Sequence, residues 1–360
     1  MSIYKLSPNV IISKLKDLVN YIDTDVKHIL VLSSPTVHAH PCVLHFIENV
    51  SETYKTTVFN KIKPDAPIDD LQYLIDTVAK PDLIIAIGGG SVIDSAKALS
   101  IGWQGKTIID FFYSRQELPT TNIPVYAVPT TAGTGAELSY GAIIYDKNAG
   151  VKGGIRGELL QPNKVLLDID LYAFAPAKLI AEVGFDCLTH AIETYVSTAS
   201  SPIVEYQSVA SINVVFTNLK KAVSKNQIAL QKMAIAATMM GANLALSTTC
   251  LPHRIQYALG PFTNTTHAQG LIVLYKGWLK EVSTTDKFAM LANDLGLTVD
   301  KLIAKIQLLK QDLQIDYNLM WLGANQADIA QIAAKVTGNL NTDPCYKSID
   351  TILNILKNSI

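Results

Sequence analysis

Residues 82–97 read DLIIAIGGGSVIDSAK, and this stretch decides the fold class of the first half of the chain. The apolar run that ends at Ile87 predicts a strand buried on both faces. Three consecutive glycines follow, which predicts a tight turn, and the residues from Ser91 onward have the pattern of a helix. A buried strand, a glycine turn and a helix in this order are typical of a parallel sheet covered by helices.

The neighbouring segments repeat this alternation. Short β-branched runs predict strands at Ile29–Leu32, Thr56–Phe59 and Val125–Pro129, and the helical spacing of Ile68–Val78 predicts a helix between the second of these and the stretch above. An α/β domain with a parallel sheet and nucleotide-binding turns is therefore expected.

Past Pro176 the strand-like runs disappear, and long apolar segments with helical spacing follow, among them Pro202–Val223 and Ala229–Thr249. We expect two domains, an α/β domain at residues 1–173 and an all-α domain at 174–360. The length of 360 residues agrees with two hydrophobic cores rather than one.

Composition excludes several classes of protein. Hydrophobic residues make up 49% of the chain, charged residues 17%, and the formal net charge is −1, which argues against disorder and against nucleic acid as a partner. The four cysteines lack CxxC spacing, and Met1–Asn9 has no apolar signal region, so a cytoplasmic protein is expected. The uncharged run Met233–Pro252 predicts a buried helix rather than a membrane span, and His253 is expected to end that helix.

Two turns have the composition of phosphate-binding loops. The first is formed by Gly88, Gly89, Gly90 and Ser91, where a helix N-terminus offers free N–H groups to an anion and Ser91 either caps the helix or contacts the phosphate. The second, PTTAGTGAE at 129–137, follows another predicted strand. Both turns are expected at the carboxyl edge of one sheet, although glycine turns without a ligand also have this pattern.

The helical half contains a pattern that is typical of metal ligands. In GFDCLTHAIE at 184–193, Asp186 and His190 are four residues apart and therefore share one face of a helix. His253 and His267 follow in the same half. A carboxylate and three imidazoles are able to bind one divalent cation, but separate hydrogen-bonded core histidines explain the same residues.

Taken together, GGGSVIDSAK, PTTAGTGAE, GFDCLTHAIETYVS and the two later histidines resemble the iron-dependent (group III) alcohol dehydrogenase family, in the same order and over nearly the whole chain. The resemblance implies a dehydroquinate synthase-like two-domain architecture and an NAD(P)-linked interconversion of a small alcohol with its aldehyde or ketone. It implies Fe²⁺, with Zn²⁺ as the alternative, and it assigns these metal ligands: Asp186, His190, His253 and His267.

The resemblance also implies the cofactor-binding residues. The pyrophosphate is expected on the glycine turn at 88–91 with Asp94 beside it. The hydroxyl-rich turn borders the nucleotide through Thr130, Thr131 and Thr134, and Lys152 matches a lysine that approaches the ribose. The family is usually dimeric or larger, so a homo-oligomer is expected.

Two positions depart from the family pattern. Ser33 is predicted just after the first strand, where many NAD-preferring relatives have an aspartate that binds the ribose 2′-hydroxyl, so NAD and NADP both stay open. Tyr257 stands where relatives often have a histidine near the substrate. We expect Tyr257 and His267 to be the catalytic residues, with the tyrosine hydroxyl or water carrying the proton.

Three alternative functions share some of these residues. The segment around Ser33 and the modest length also resemble the maleylacetate reductase branch, which reduces enol or keto acids and commonly lacks the metal-binding aspartate, whereas Asp186 is present here. A lyase of the dehydroquinate synthase type needs several basic residues around its substrate, and only Arg254 and Lys276 are close to the predicted ligands in sequence. A non-catalytic metal-binding protein leaves the two phosphate-type turns unexplained.

Overall fold

The computed structural model describes residues 10–113, 117–263 and 265–360. The stretch Met1–Asn9, for which no signal segment is predicted, lies outside these residues. The chain forms two compact units. One comprises Gly135–Ala175 and the chain up to Thr131, and the other comprises Pro176–Ile360 together with the short segment Ala132–Thr134. The predicted boundary after residue 173 falls within a helix, Ile169–Phe174.

The first unit is built on a parallel sheet, as the sequence predicts. The strands of the described residues are β1 Val10–Ile12, β2 His28–Ser33, β3 Lys55–Phe59, β4 Leu83–Gly88, β5 Val125–Pro129, β6 Gly141–Asp146, β7 Val151–Arg156 and β8 Lys164–Leu167. Six of them form one sheet in the order β1-β8-β5-β4-β2-β3 with parallel pairing throughout, and β6 and β7 form an antiparallel hairpin. The sequence analysis did not predict β1, β6, β7 or β8.

Helices cover both faces of this sheet. They are α1 Pro35–His38, α2 Pro41–Thr53, α3 Ile68–Thr77, α4 Gly90–Ser100, α5 Ile108–Tyr113 and α6 Ile169–Phe174. Alternate residues of the central strands β2, β4 and β5 enter different apolar clusters: Ile84 and Ala86 of β4 belong to one, and Ile85 and Ile87 belong to the other. A strand with two buried faces needs apolar residues at every position, which explains the continuous run in the sequence.

The sheet register sets the positions of the two turns. β4 and β5 are neighbours, and Gly88 pairs with Pro129, so both strands end at the same level. The backbone N–H of Thr130 then donates to the carbonyl of Gly88 at 3.1 Å. The glycine turn and the start of the hydroxyl-rich turn are therefore adjacent at the carboxyl edge of the sheet.

The second unit is helical among the described residues, which confirms the prediction for this half. Its helices are α7 Ala177–Val196, α8 Pro202–Val223, α9 Gln227–Leu246, α10 Leu251–Thr263, α11 His267–Val282, α12 Asp286–Asp294, α13 Val299–Asp312, α14 Ile329–Ala334 and α15 Ile349–Lys357. The bounds of α8 are those that the sequence predicts.

The expected helix end at His253 was wrong. The long uncharged helix α9 ends at Leu246, and α10 begins at Leu251. Pro252 explains the new start, because a proline lacks an N–H and fits the first turn of a helix. His253 therefore lies in the first turn of α10. Within the described part of the chain, no single helix is long and apolar enough to cross a membrane; α9 and α10 reach that length only as a pair bent by 101°.

Candidate metal and cofactor site

Helix α7 presents its functional side chains on one face. Asp186, His190 and Glu193 follow each other at intervals of four and three residues, so they lie one above the other along the helix. All three are almost completely buried, with exposed fractions of 1%, 4% and 0%. Polar groups buried this deeply need partners, and the partners come from α10 and α11.

The two later histidines each stand at the start of a helix. His253 belongs to the first turn of α10, and His267 is the first residue of α11. Thr266 caps α11, because its Oγ1 accepts from the backbone N–H of Gln269 at 3.3 Å and the Gln269 side chain accepts from the Thr266 N–H. This capping box fixes the start of α11 and therefore the position of His267, its first residue.

The structure brings all four predicted ligands together. Oδ1 of Asp186 lies 3.4 Å from His190 Nδ1, 3.7 Å from His253 Nε2 and 4.0 Å from His267 Nε2. One donor atom each of Asp186, His253 and His267 lies within 4.8 Å of the others, and His190 Nε2 is 3.0 Å from His253 Nε2. The donor atoms of Asp186, His253 and His267 are close enough to share one ion at about 2.0–2.2 Å. His190 borders this group, with Nδ1 towards Asp186 and Nε2 towards His253.

The donor set fits a transition metal. One carboxylate and three imidazoles suit both Fe²⁺ and Zn²⁺. His190 Nδ1 is buried and has no hydrogen-bond partner among the described residues. A bound cation would satisfy a nitrogen of this kind.

Two further residues orient the histidines. Glu193 Oε2 lies 2.8 Å from His253 Nδ1 and also accepts from the backbone N–H of Cys250 at 2.8 Å. Gln256 Oε1 lies 2.5 Å from His267 Nδ1. Each contact engages Nδ1 of the imidazole, so that Nε2 of the same ring points at Asp186. Metal-binding histidines usually have such a hydrogen bond on the nitrogen that does not bind the metal.

Neither orienting residue received a role from the sequence. Glu193 was visible at the right helical spacing from His190. Gln256 is three residues after His253 on α10, a spacing that places the two on one face, but its partner His267 comes from another helix. Only the fold joins them.

The charges of the cluster shift its pKa values. Burial alone would raise the pKa of the Asp186 carboxyl, but His190, His253 and His267 outweigh burial and hold this pKa well below its usual range. Burial lowers the pKa of His190. Burial also disfavours the charged form of His253, yet the carboxylates of Glu193 and Asp186 raise its pKa to about 9. The two carboxylates, Glu193 and Asp186, thus favour the protonated, positively charged form of the His253 imidazole.

Tyr257 lies next to this cluster. It is half-buried, and its ring stacks on that of His267 with centroids 6.1 Å apart and an interplanar angle of 25°. The guanidinium carbon of Arg254 is 6.0 Å from the centre of the Tyr257 ring. The structure therefore places the predicted proton carrier beside a predicted ligand.

The glycine turn has no room for side chains. A Cβ on Gly88 would lie 2.5 Å from Val92 Cγ2, and one on Gly89 would lie 3.1 Å from Thr131 Oγ1. The bare backbone of this turn leads into α4, whose N-terminus carries unpaired N–H groups. Thr130 and Thr131 adjoin the turn, whereas Thr134 belongs by its contacts to the helical unit.

Ser91 and Lys152 are linked through a residue that the sequence analysis missed. Gly89, not Ser91, is the N-cap of α4, so the capping role considered for Ser91 was wrong. The Oγ of Ser91 instead accepts from the backbone N–H of Asp65 at 3.0 Å, and the Asp65 carboxylate pairs with Lys152 Nζ at 2.5 Å. Asp65 has a positive φ of 65°, and no pattern in the sequence marked it.

Asp94 and Lys97 form a buried pair one turn further along α4. Lys97 Nζ lies 3.5 Å from Asp94 Oδ1 and donates to the carbonyl of Ala136 and to Ser139 Oγ, both at 2.9 Å. Burial raises the pKa of Asp94 and lowers that of Lys97. Lys97 therefore ties α4 to the end of the hydroxyl-rich turn.

The position predicted for Ser33 was wrong. It is the last residue of β2 rather than the residue after it, and its side chain is completely buried. Ser34 is the first residue beyond the strand, and its Oγ accepts from the backbone N–H of Val37 at 3.4 Å. The residue that follows the strand is thus Ser34.

Comparison with known proteins identifies the family of the chain. Residues 8–169 match the iron-containing alcohol dehydrogenase family, and residues 180–360 match the C-terminal part of the same family. The chain belongs to this family. As a member of this family, it is an oxidoreductase of the alcohol dehydrogenase type.

Individual relatives align with most of the length of this iron-containing alcohol dehydrogenase. The NAD-dependent methanol dehydrogenase of Bacillus methanolicus is 25% identical over 93% of this chain and 92% of its own. The NADPH-dependent butanol dehydrogenase of Clostridium saccharobutylicum is 27% identical over 76% of this chain and 74% of its own. The crystal structure of a 1,3-propanediol oxidoreductase is 23% identical, covers 100% of both chains and superposes with a TM-score of 0.91, which shows the shared fold.

Proposed function

We propose that the protein interconverts a small alcohol with its aldehyde or ketone by hydride transfer to or from NAD or NADP, at a metal centre held by Asp186, His190, His253 and His267. The observation that carries the proposal is the convergence of these four side chains from three helices. When bound, Fe²⁺ or Zn²⁺ supplies Lewis-acid polarisation of the substrate oxygen.

The residues of the chain supply position and proton transfer. Glu193 and Gln256 hold His253 and His267 in the orientation that directs Nε2 at Asp186. The hydroxyl of Tyr257, beside His267, carries the proton to or from the substrate oxygen, directly or through water. A phenol hydroxyl is a proton donor rather than a base in its neutral form.

The glycine turn binds the cofactor pyrophosphate. Backbone N–H groups of Gly89, Gly90 and Ser91 at the start of α4 face the phosphates, and the absence of side chains at the turn permits the close approach. The same proposal places Asp94, Thr130, Thr131, Thr134 and Lys152 around the nucleotide. We also propose that the protein forms a homodimer or a larger homo-oligomer and that it is cytoplasmic. Both proposals rest on the sequence.

The test is reconstitution with Fe²⁺ or Zn²⁺ followed by assays of aldehyde reduction with NADH and NADPH. Asp186→Asn and His267→Ala are expected to lower bound metal, measured by elemental analysis, and to reduce kcat by at least about 100-fold, because each removes a metal ligand. His45→Ala is the matched control, since His45 lies exposed on α2 in the other unit. Full turnover in exhaustively chelated, metal-free enzyme would refute the metal centre.

A further inference from the structure

Arg254 is a buried cation without a counter-ion in the described part of the chain. Only 8% of its surface is exposed, and its Nε is buried with no hydrogen-bond partner there. A guanidinium offers five N–H donors. One contact to an acceptor is made, from Nη2 to Thr248 Oγ1 at 2.8 Å. A buried charge that is neither paired nor fully hydrogen-bonded is costly, so its presence requires a reason.

The carboxylates around α10 are occupied elsewhere. Asp186 faces the histidine cluster, and Glu193 binds His253 and the backbone of Cys250. Asp343 accepts from the backbone N–H of Leu251 and from the indole N–H of Trp278, at 2.9 and 2.7 Å. None of these acids is an ion-pair partner of Arg254, so the protein does not neutralise this cation from within the described residues.

Arg254 is also close to the proposed centre of reaction. It directly follows the ligand His253, and its guanidinium lies 6.0 Å from the ring of Tyr257, which stacks on His267. The backbone at Gly338 makes space for the arginine stem: a Cβ there would lie 3.2 Å from Arg254 Cδ, and its φ of 103° favours glycine. The side chain is therefore held by its surroundings while most of its donors stay available.

We propose that Arg254 binds an anionic group carried by the substrate, a carboxylate or a sulfonate, so that the enzyme prefers small oxo acids over uncharged aldehydes. The planar guanidinium matches such groups through paired hydrogen bonds. The anion would use the free donors of Arg254 and supply the missing counter-charge. This assignment rests on the proposed function, because it names the substrate class of the same site.

The test compares butanal with 4-oxobutanoate, which have the same chain length and differ in a terminal carboxylate. The metal-loaded wild type is expected to have the higher kcat/KM for 4-oxobutanoate. Arg254→Gln should lower the ratio of the two kcat/KM values by roughly 100-fold, chiefly through KM, because the buried charge pair is lost. Arg254→Lys should recover only part of the ratio, since an ammonium lacks the planar fork.

Lys276→Gln is the charge-matched control. Lys276 lies exposed on α11, so removing it changes the net charge equally and should leave the ratio in place. A wild type without preference for 4-oxobutanoate, or equal losses for both aldehydes in Arg254→Gln, would overturn the proposal and leave Arg254 with a structural role.

Calorimetric titration with ethanesulfonate gives a second readout that does not depend on turnover. Binding to the holoenzyme and to chelated protein, and its loss in Arg254→Gln, would support the anion site even if neither aldehyde is reduced; in that case the proposed reaction alone fails. The cofactor or free phosphate is the other source of an anion. If Arg254→Gln lost affinity for NADPH or inorganic phosphate but kept ethanesulfonate binding, the assignment to the substrate would be wrong.

Discussion

At the scale of single residues, the hydrogen bonds behind the histidines decide how the site is held. Glu193 accepts from His253 Nδ1 and from the backbone of Cys250, so one carboxylate fixes both the ring and the chain just before α10. Its second oxygen, Oε1, is buried without a partner among the described residues. The negative charge of Glu193 raises the pKa of His253.

Glu193→Gln is expected to lower the affinity for Zn²⁺ by roughly 10- to 100-fold, since second-sphere partners of metal-binding histidines contribute that much. The measurement is competition for the metal with a chelator of known affinity. Glu205→Gln is the control, because Glu205 lies on α8 and pairs with Lys287 instead. Equal affinities of Glu193→Gln and the wild type would contradict the orienting role.

Sequence spacing revealed the residues that share a helix and missed those that do not. Asp186, His190 and Glu193 are recognisable because α7 repeats them at intervals of one turn. Asp65 and Gln256 escaped notice because their partners, Lys152 and His267, are far away in the sequence or on another helix. The place of Ser33 was misjudged, since the end of a buried strand is not visible in a run of apolar and small residues.

At the scale of the elements, the close contact of α11 with α15 depends on a glycine. A Cβ at Gly277 of α11 would overlap the backbone carbonyl oxygen of Ile355 in α15 and lie 2.7 Å from Ser359 Oγ. A backbone atom cannot move aside as a side chain can. Gly277 therefore permits the approach of the C-terminal helix to the helix that begins with His267.

Gly277→Ala is expected to reduce the free energy of unfolding by about 1–3 kcal/mol, because the overpacking forces the two helices apart. Urea denaturation followed by circular dichroism measures the change. Gly141→Ala is the control, since a Cβ there would meet its nearest atoms at 3.8 Å, an ordinary contact. A Gly277→Ala protein as stable as the wild type would show that α15 shifts without cost.

Elements were predictable where one apolar pattern ran through a long segment. The bounds of α8 and the strand core of β4 follow from periodicity and from continuous burial. The hairpin of β6 and β7 was missed because β7, VKGGIR, has glycines where a strand pattern needs side chains. The break between α9 and α10 was missed because its residues, 247–250, are uncharged like the helix before them.

At the scale of the whole molecule, the charge of His253 couples the stability of the metal-free protein to pH. Glu193 and Asp186 raise the pKa of His253 to about 9, above its ordinary value of 6.5. A raised pKa means that the folded state binds the proton more tightly than the unfolded state. The contribution is complete below pH 6.5 and is lost as the pH rises through about 9.

The chelated protein is therefore expected to lose on the order of 3 kcal/mol of unfolding free energy, relative to His253→Gln, between pH 6.5 and 9. Urea titrations of both proteins at several pH values measure the difference. The variant supplies the control, because it lacks the titrating imidazole. A constant difference across this range would show that His253 is not charged in the metal-free protein.

The sequence by itself determined the fold class, the family and the residues that we propose as metal ligands, because helical and strand periods and motif order are local properties of the chain. The tertiary structure decided how these residues are used. It brought α7, α10 and α11 to one point, placed Glu193 and Gln256 behind the histidines, and left Arg254 buried without a counter-charge in the described part of the chain. Such contacts join residues far apart in sequence, and packing of the helices alone fixes their distances.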